Sequence, residues 1–176
     1  DRGMVQESCC GYDINIYLPE NYKKEKQYPA LFLNDGNLIQ QWKISGCNYF
    51  IFGIVPKNRL VDYTPWRADA IRDNAQDFGG NASEYIKTLV HDIIPMLQKK
   101  YHIVADKVAF GGISLGGLAA VYSLYLTSQF QYIFSICGSF WYPDFVEYVQ
   151  KEQIINSKAH TFIINGAKEG YLHRNI

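Results

Sequence analysis

The sequence predicts an α/β fold with a mainly parallel central sheet and flanking helices. Three observations predict it. Short β-branched or aromatic runs alternate with stretches at helical spacing, the pattern of βαβ units. Two of those runs, Tyr28 to Leu33 and Tyr49 to Val55, are continuously apolar, as strands covered on both faces tend to be. A glycine-bounded serine turn, Gly112-Ile113-Ser114-Leu115-Gly116, stands between an apolar strand and an apolar helix.

In chain order, Asp13-Ile14-Asn15-Ile16-Tyr17-Leu18 alternates in the manner of an exposed or edge strand, and Pro19 to Tyr22 with the lysines after it forms a polar loop. Tyr28 to Leu33 is a buried strand that meets a turn at Asn34-Asp35-Gly36. Tyr49 to Val55 is a second, halted by Pro56. Lys57 to Gly80 is then polar, Pro-containing and aperiodic, a surface excursion of a length that in compact domains is either functional or disordered. From Ser83 to Lys100, Tyr85, Ile86, Leu89, Val90, Ile93, Ile94 and Leu97 recur at helical spacing with Ser83 as N-cap, and Pro95 should kink the helix or open a new first turn. Val108 to Gly111 is a strand, Leu118 to Leu126 an apolar helix, and Tyr132 to Cys137 and Thr161 to Asn165 are strands again.

At 176 residues and 48% hydrophobic, the chain reads as one domain, residues 1–176, around one core. Seventeen basic and seventeen acidic residues cancel, which leaves no field to recruit nucleic acid. No apolar run approaches the roughly 20 residues that cross a bilayer, and residues 1–20 lack a basic stretch followed by a signal-type segment. The expectation is a soluble, cytoplasmic chain with no membrane partner, although a start at Asp1 leaves a processed signal open. Cys9, Cys10, Cys47 and Cys137 lack disulfide-framework or zinc spacing and read as reduced thiols; on a strand, Cys9 and Cys10 would face opposite ways and grip no common metal. Fourteen Tyr and ten Phe suit a filled core or an aromatic pocket.

The serine turn carries the chemistry. A hydroxyl is a poor nucleophile at neutral pH, so a serine esterase holds it accessible and strained beside a base and a pair of oxyanion-binding N–H groups. Glycines at 112 and 116 let strand and helix approach where a Cβ would clash, Gly117 loosens the crowding further, and the following helix aims its N-terminus at the developing charge. A phosphate-binding loop would need a Gly-Lys-Ser/Thr ending, which is absent. Ser114 is therefore the expected nucleophile, and the fold is expected to be the α/β-hydrolase fold. The oxyanion hole should use the N–H of Leu115 and that of Asn37, which follows Asp35-Gly36 at the end of the first buried strand; an ordinary Asp-Gly turn is the other reading there.

Leu33-Asn34-Asp35-Gly36, Asp62-Tyr63-Thr64-Pro65-Trp66, Gly79-Gly80 with Tyr85, Ile94-Pro95, the Ser114 turn with Gly117-Leu118, and Ser139-Phe140-Trp141 together resemble the esterase D-like putative esterases. Within that group the chain looks like bacterial siderophore trilactone hydrolases of the enterochelin esterase type, from about Cys10 to about Glu169. The resemblance implies a carboxylic-ester hydrolase that works through an acyl-enzyme, in some members on the macrocyclic trilactone of a catecholate siderophore carrying iron, with no cofactor. It also implies a catalytic acid shortly after the last strand, where Glu169 stands; a solvated surface carboxylate is the other reading.

The expected chain order of such a triad is Ser, acid, His, with the histidine on a loop after one more strand. His91 falls mid-helix, His102 closes that helix, and His160 leads into a strand, so each reads as structural. Only His173 follows Glu169, with no strand between them. The C-terminal part therefore reads as missing, with the base expected beyond Ile176.

For the substrate, Arg59, Arg67 and Arg72 stand with Tyr63 and Trp66 in the excursion, and arginines with aromatic rings suit an anionic, aromatic ferric tricatecholate. Arg59 is the first choice. Phe140 and Trp141, after another strand end, either wall the acyl pocket or pack in the core. Alternatives are a short-chain carboxylesterase or S-acyl thioesterase, which share the nucleophile machinery, and a non-catalytic siderophore-binding homologue that has lost its base. The oligomeric state is not legible.

Overall fold

A computed structural model of the chain describes residues 4–42 and 46–166. Its centre is a seven-stranded sheet. The strands are β1 (Met4–Cys9), β2 (Tyr12–Tyr17), β3 (Tyr28–Asn34), β4 (Phe50–Ile54), β7 (Ile103–Ile113), β8 (Tyr132–Ile136) and β9 (His160–Ile164), in spatial order β1-β2-β4-β3-β7-β8-β9. From β4 through β9 every pairing is parallel, and only β1 and β2 run antiparallel to their neighbours. A separate two-stranded ribbon pairs β5 (Arg67–Ala68) with β6 (Phe78–Gly79). The helices are α1 (Arg59–Asp62), α2 (Ala82–Thr88), α3 (Ile94–Lys100), α4 (Leu115–Tyr122) and α5 (Phe145–Lys151). The α/β-hydrolase fold expected from the sequence is the fold observed.

The buried strands are built from rings. Phe32 of β3 stacks on Phe52 of β4 at 4.9 Å, Phe52 stacks on Phe50 at 5.3 Å, and all three are fully buried. Each such side chain contributes about 1.5–3 kcal/mol of burial free energy. Ile86 and Leu97 of the helices and Phe110 of β7 join the same core, while Leu33, Ile39, Cys47 and Ile51 form a small second cluster.

Three local expectations are corrected. The strand at 13–18 is neither exposed nor an edge: β2 spans Tyr12–Tyr17, its Tyr12, Ile14 and Ile16 are buried, and β1 takes the edge. Cys10 and Gly11, at φ 57° and 81°, make the two-residue turn between β1 and β2, a conformation that matches the right-handed strand twist. Because Cys10 leaves the strand there, the Cys9 and Cys10 sulfurs meet at 3.3 Å rather than facing apart. The excursion after β4 is likewise anchored rather than only superficial, with Asp62, Tyr63 and Thr64 buried.

The helix expected over 83–100 is present but interrupted. Pro95 has no N–H to continue an α-helical ladder; the turn Leu89–Ile93 widens to π-helical geometry, Ile94 N–H reaches Leu89 C=O, and α3 restarts with Pro95 in its first turn. Ser83 lies inside α2, and Asn81 holds the N-cap position without a side-chain bond.

Candidate active site

β7 runs into α4 through a single residue. Ser114 sits at φ 58°, ψ −120°, a strained conformation that costs about 1–3 kcal/mol and is retained where the surroundings impose it. Those surroundings are specific. Ser114 N–H donates to Ile136 C=O at 2.9 Å, and Ser114 C=O accepts from Leu118 N–H at 3.0 Å and from Ser139 N–H at 3.1 Å. A Cβ on Gly112 would lie 2.5 Å from the Gly116 carbonyl carbon, so strand and helix cross as closely as backbones allow. Ser114 remains partly exposed at the C-terminal ends of β3, β7 and β8, the end at which open parallel sheets place their sites.

The end of β3 is clamped against this turn. The Asn34 side-chain amide donates to Gly116 C=O at 2.9 Å, and Asn34 Oδ1 accepts from Tyr85 Oη at 2.6 Å, with both side chains fully buried. Asp35 follows at φ 56°; its N–H donates to Tyr63 Oη at 2.8 Å. Burial drives both tyrosine hydroxyls well above their ordinary pKa, so they act as neutral hydrogen-bonding groups. Gly36 then passes Gly53 so closely that a Cβ would lie 2.2 Å from the Gly53 carbonyl, which brings Asn37 to the surface at the head of the 3-10 turn Gly36–Trp42. Leu115 is the first residue of α4, and its side chain is buried.

Arg59 reaches the same place. Its Nε and Nη2 lie 3.3 and 3.2 Å from the two Asp35 carboxylate oxygens, a two-pronged ion pair with the arginine partly open to solvent. α1 is held for this by Asn58, whose side chain caps Leu60 N–H at 3.0 Å, and by buried Asp62, which accepts from Lys57 N–H at 2.8 Å and from Tyr12 Oη at 3.1 Å.

The other sequence-selected residues divide. Tyr63 has no exposed surface, so it supports Asp35 from beneath and does not line a binding face, contrary to the expectation that it meets substrate. Trp66 is half-buried; its indole N–H donates to Pro143 C=O at 2.8 Å, and its C=O accepts from the Tyr142 hydroxyl. These bonds join the excursion to the loop bearing Ser139, Phe140 and Trp141. Trp141 is partly exposed and lies 6.2 Å from the Phe78 ring, while Phe140 stacks on Phe145. Arg67, on β5, and Arg72 are exposed.

Among the described residues no histidine hydrogen-bonds to Ser114. His160 opens β9 opposite Tyr132, four residues of parallel register below the Ile136–Ile164 end that adjoins Ser114, about 13 Å at strand rise. His102 precedes β7, at the far end of that strand from Ser114, and His91 is exposed in the π-helical turn. Glu169 and His173 lie outside the described residues. Sequence reasoning missed Asn34, Asp35 and Tyr85 as the clamp, and Ser139, whose hydroxyl lies 3.1 Å from Ser114 Oγ. A polar residue at the end of an apolar strand was the available signal for the first two.

The arrangement can support acyl transfer at a strained serine. The model of the family described as "Putative esterase" matches residues 6–173. The uncharacterized protein YbbA of Bacillus subtilis is 31% identical over 190 residues, covering 99% of this chain and 76% of that protein. Among solved structures, siderophore hydrolase EstA from Aspergillus nidulans superposes with a TM-score of 0.73 at 19% identity, over 97% of this chain and 70% of that one. The enterobactin and salmochelin hydrolase IroE does so with a TM-score of 0.70 at 15% identity, over 98% and 90%. At those identities the two structures establish the fold.

Proposed function

The chain belongs to the putative esterase family, and on that premise we propose that it is a serine hydrolase of carboxylic esters working through an acyl-enzyme. One observation carries this reading: Ser114, a partly exposed residue, is held at φ 58° between β7 and α4, at the ends of the parallel strands. Ser114 Oγ attacks the ester carbonyl and its proton passes to a histidine base. The oxyanion is held by the N–H groups of Leu115 and Asn37, and the alcohol departs with a proton returned by the base. Water then attacks the acyl-enzyme by the same route and frees Ser114. The distant placing of His91, His102 and His160 directs the search for the base to the chain after β9, where Glu169 is the candidate acid that orients it.

For the substrate we favour a catecholate siderophore trilactone, free or carrying iron. Support comes from two structural neighbours, one named as a siderophore hydrolase and one as an enterobactin and salmochelin hydrolase, and from the side chains of the loops around Ser114. Arg59 supplies a guanidinium partly open to solvent, and Trp141 a partly exposed ring, with Trp66 and Arg67 further along the same excursion. Hydrolysis of a ferric trilactone in competition with a short aryl ester tests this. Preference for the trilactone, lost in Ser114→Ala, is the expected result. Preference for the aryl ester, or for a thioester, points to a general esterase or thioesterase. Tight trilactone binding without turnover points to a carrier.

A further inference from the structure

We propose that the Ser139 hydroxyl donates a hydrogen bond to Ser114 Oγ and thereby decides which way the nucleophile releases its own proton. This inference rests on the reading of Ser114 as the nucleophile. The two oxygens are 3.1 Å apart, a separation at which either hydroxyl has the geometry to be the donor. Their surroundings break the tie. Ser139 has no exposed surface, and Ser114 Oγ is the partner its hydroxyl has among the described residues. A buried O–H left undonated is costly, whereas Ser114, partly exposed, has its open side for its own proton. Donation from Ser139 to Ser114 satisfies both groups, and the reverse direction leaves the Ser139 proton without an acceptor among the described residues.

The backbone holds Ser139 in place for this. Its N–H donates to Ser114 C=O at 3.1 Å, so the two residues are joined through main chain and side chain at once, and its C=O accepts from Tyr142 N–H at 3.1 Å. The bend that brings it there needs Gly138, where a Cβ would lie 2.5 Å from Ser135 Oγ and 2.6 Å from the Phe140 ring. Two chemical consequences follow. The Ser114 hydroxyl is held in one orientation with its proton turned toward the open face, where base and ester carbonyl must stand. As that proton leaves, the Ser139 bond becomes one to a charged acceptor and strengthens, which favours the attacking form of Ser114.

The test compares the wild-type chain with Ser139→Ala, Ser139→Cys and Ser114→Ala, following p-nitrophenyl acetate hydrolysis and the rate of fluorophosphonate labelling. With the charge-assisted bond removed, kcat and labelling should fall about 10–100-fold in Ser139→Ala while KM stays within about twofold. Ser139→Cys, of similar size but a weak donor, should fall as well with its thermal midpoint unchanged. Rates within about threefold of wild type in Ser139→Ala overturn the inference, and if that variant does not fold, the Cys variant decides by the same criterion. Hydrolysis retained in Ser114→Ala removes the serine reading itself. Hydrolysis lost there, with Ser139→Ala and Ser139→Cys unimpaired, removes this inference alone.

Discussion

The side-chain amide of Asn34, at the end of β3, donates to the carbonyl of Gly116, the second residue of α4, at 2.9 Å, and so binds the strand that leads into the proposed oxyanion loop to the helix that follows the nucleophile. The residues are 82 apart in sequence. Asn34→Ala removes this bond and strands the Tyr85 hydroxyl, which donates to Asn34 Oδ1 at 2.6 Å in a fully buried position. The expected cost is about 2–6 kcal/mol by urea denaturation, at about 1–3 kcal/mol for each of the two buried groups left without its partner. Esterase activity of the folded fraction should fall as well, because the oxyanion loop loses its tether.

The glycines of the turn should not be equivalent. At Gly112 a methyl group would lie 2.5 Å from backbone atoms of Gly116, which have nowhere to go, whereas at Gly116 it would lie 3.1 Å from Asn34 Cβ and 3.4 Å from Asp35 Oδ2. Gly112→Ala should destabilise by more than about 4 kcal/mol or prevent folding, and Gly116→Ala by about 1–3 kcal/mol. Soluble yield and thermal midpoint give the ranking, and a Gly112→Ala protein as stable as Gly116→Ala would contradict the close crossing of strand and helix.

Ser135 offers the opposite case to Ser139. Its hydroxyl is buried on β8 without a hydrogen-bond partner among the described residues. Removing an unsatisfied buried hydroxyl relieves a desolvation cost, so Ser135→Ala should change stability by less than about 1 kcal/mol or raise it. Chemical denaturation of the two alanine variants side by side separates a buried serine with a partner from one without.

The Arg59–Asp35 pair is open to solvent on the arginine side, but the Asp35 carboxylate is buried, so removing the guanidinium leaves that carboxylate without its ion-pair partner. Arg59→Met should cost about 1–3 kcal/mol. Its effect on catalysis should depend on the substrate: KM for an anionic ferric catecholate should rise several-fold, while KM for a neutral aryl ester should move little. Equal changes for both would remove Arg59 from the substrate site and leave it as a support for Asp35.

Alkaline pH should unfold the chain through its tyrosines. Burial raises the hydroxyls of Tyr63 and Tyr85 well above 10.0, so at high pH the unfolded chain has released protons that the folded chain retains. The unfolded state then binds fewer protons, and stability falls as pH rises past 10, by about 1.4 kcal/mol per pH unit for each tyrosine held neutral. Below pH 9 these two groups should contribute no pH dependence. Denaturation midpoints between pH 8 and 11, with tyrosinate absorbance as a second readout, check both halves of this expectation.

The parts of the molecule that were legible in the sequence are those whose causes are local. Tyr28 to Leu33 and Tyr49 to Val55 are apolar enough to be strands wherever they fall, and the glycines around Ser114 state the close crossing they permit. The β1–β2 hairpin was not legible because Cys10-Gly11 lacks the Asn-Gly or Asp-Gly signature that usually marks such a turn, although it adopts the same positive φ angles. Tyr63 read as a surface aromatic in a polar stretch. It packs in the core against Tyr85 and accepts a bond from Asp35, 28 residues away, contacts that no periodicity reports. Asn34 and Ser139 acquire their meaning only when strand ends far apart in the chain are brought beside Ser114, so their residue types were visible and their partners were not. Glu169 lies outside the described residues, and its role stands as a proposal.

The most direct measurement of the central claim is intact-mass spectrometry of the protein before and after exposure to a fluorophosphonate, on the wild type and on Ser114→Ala. An activated serine at the β7–α4 turn predicts one adduct on the wild type and none on the variant. An unmodified wild type, or an adduct that persists in Ser114→Ala, would contradict the assignment of Ser114 as the nucleophile.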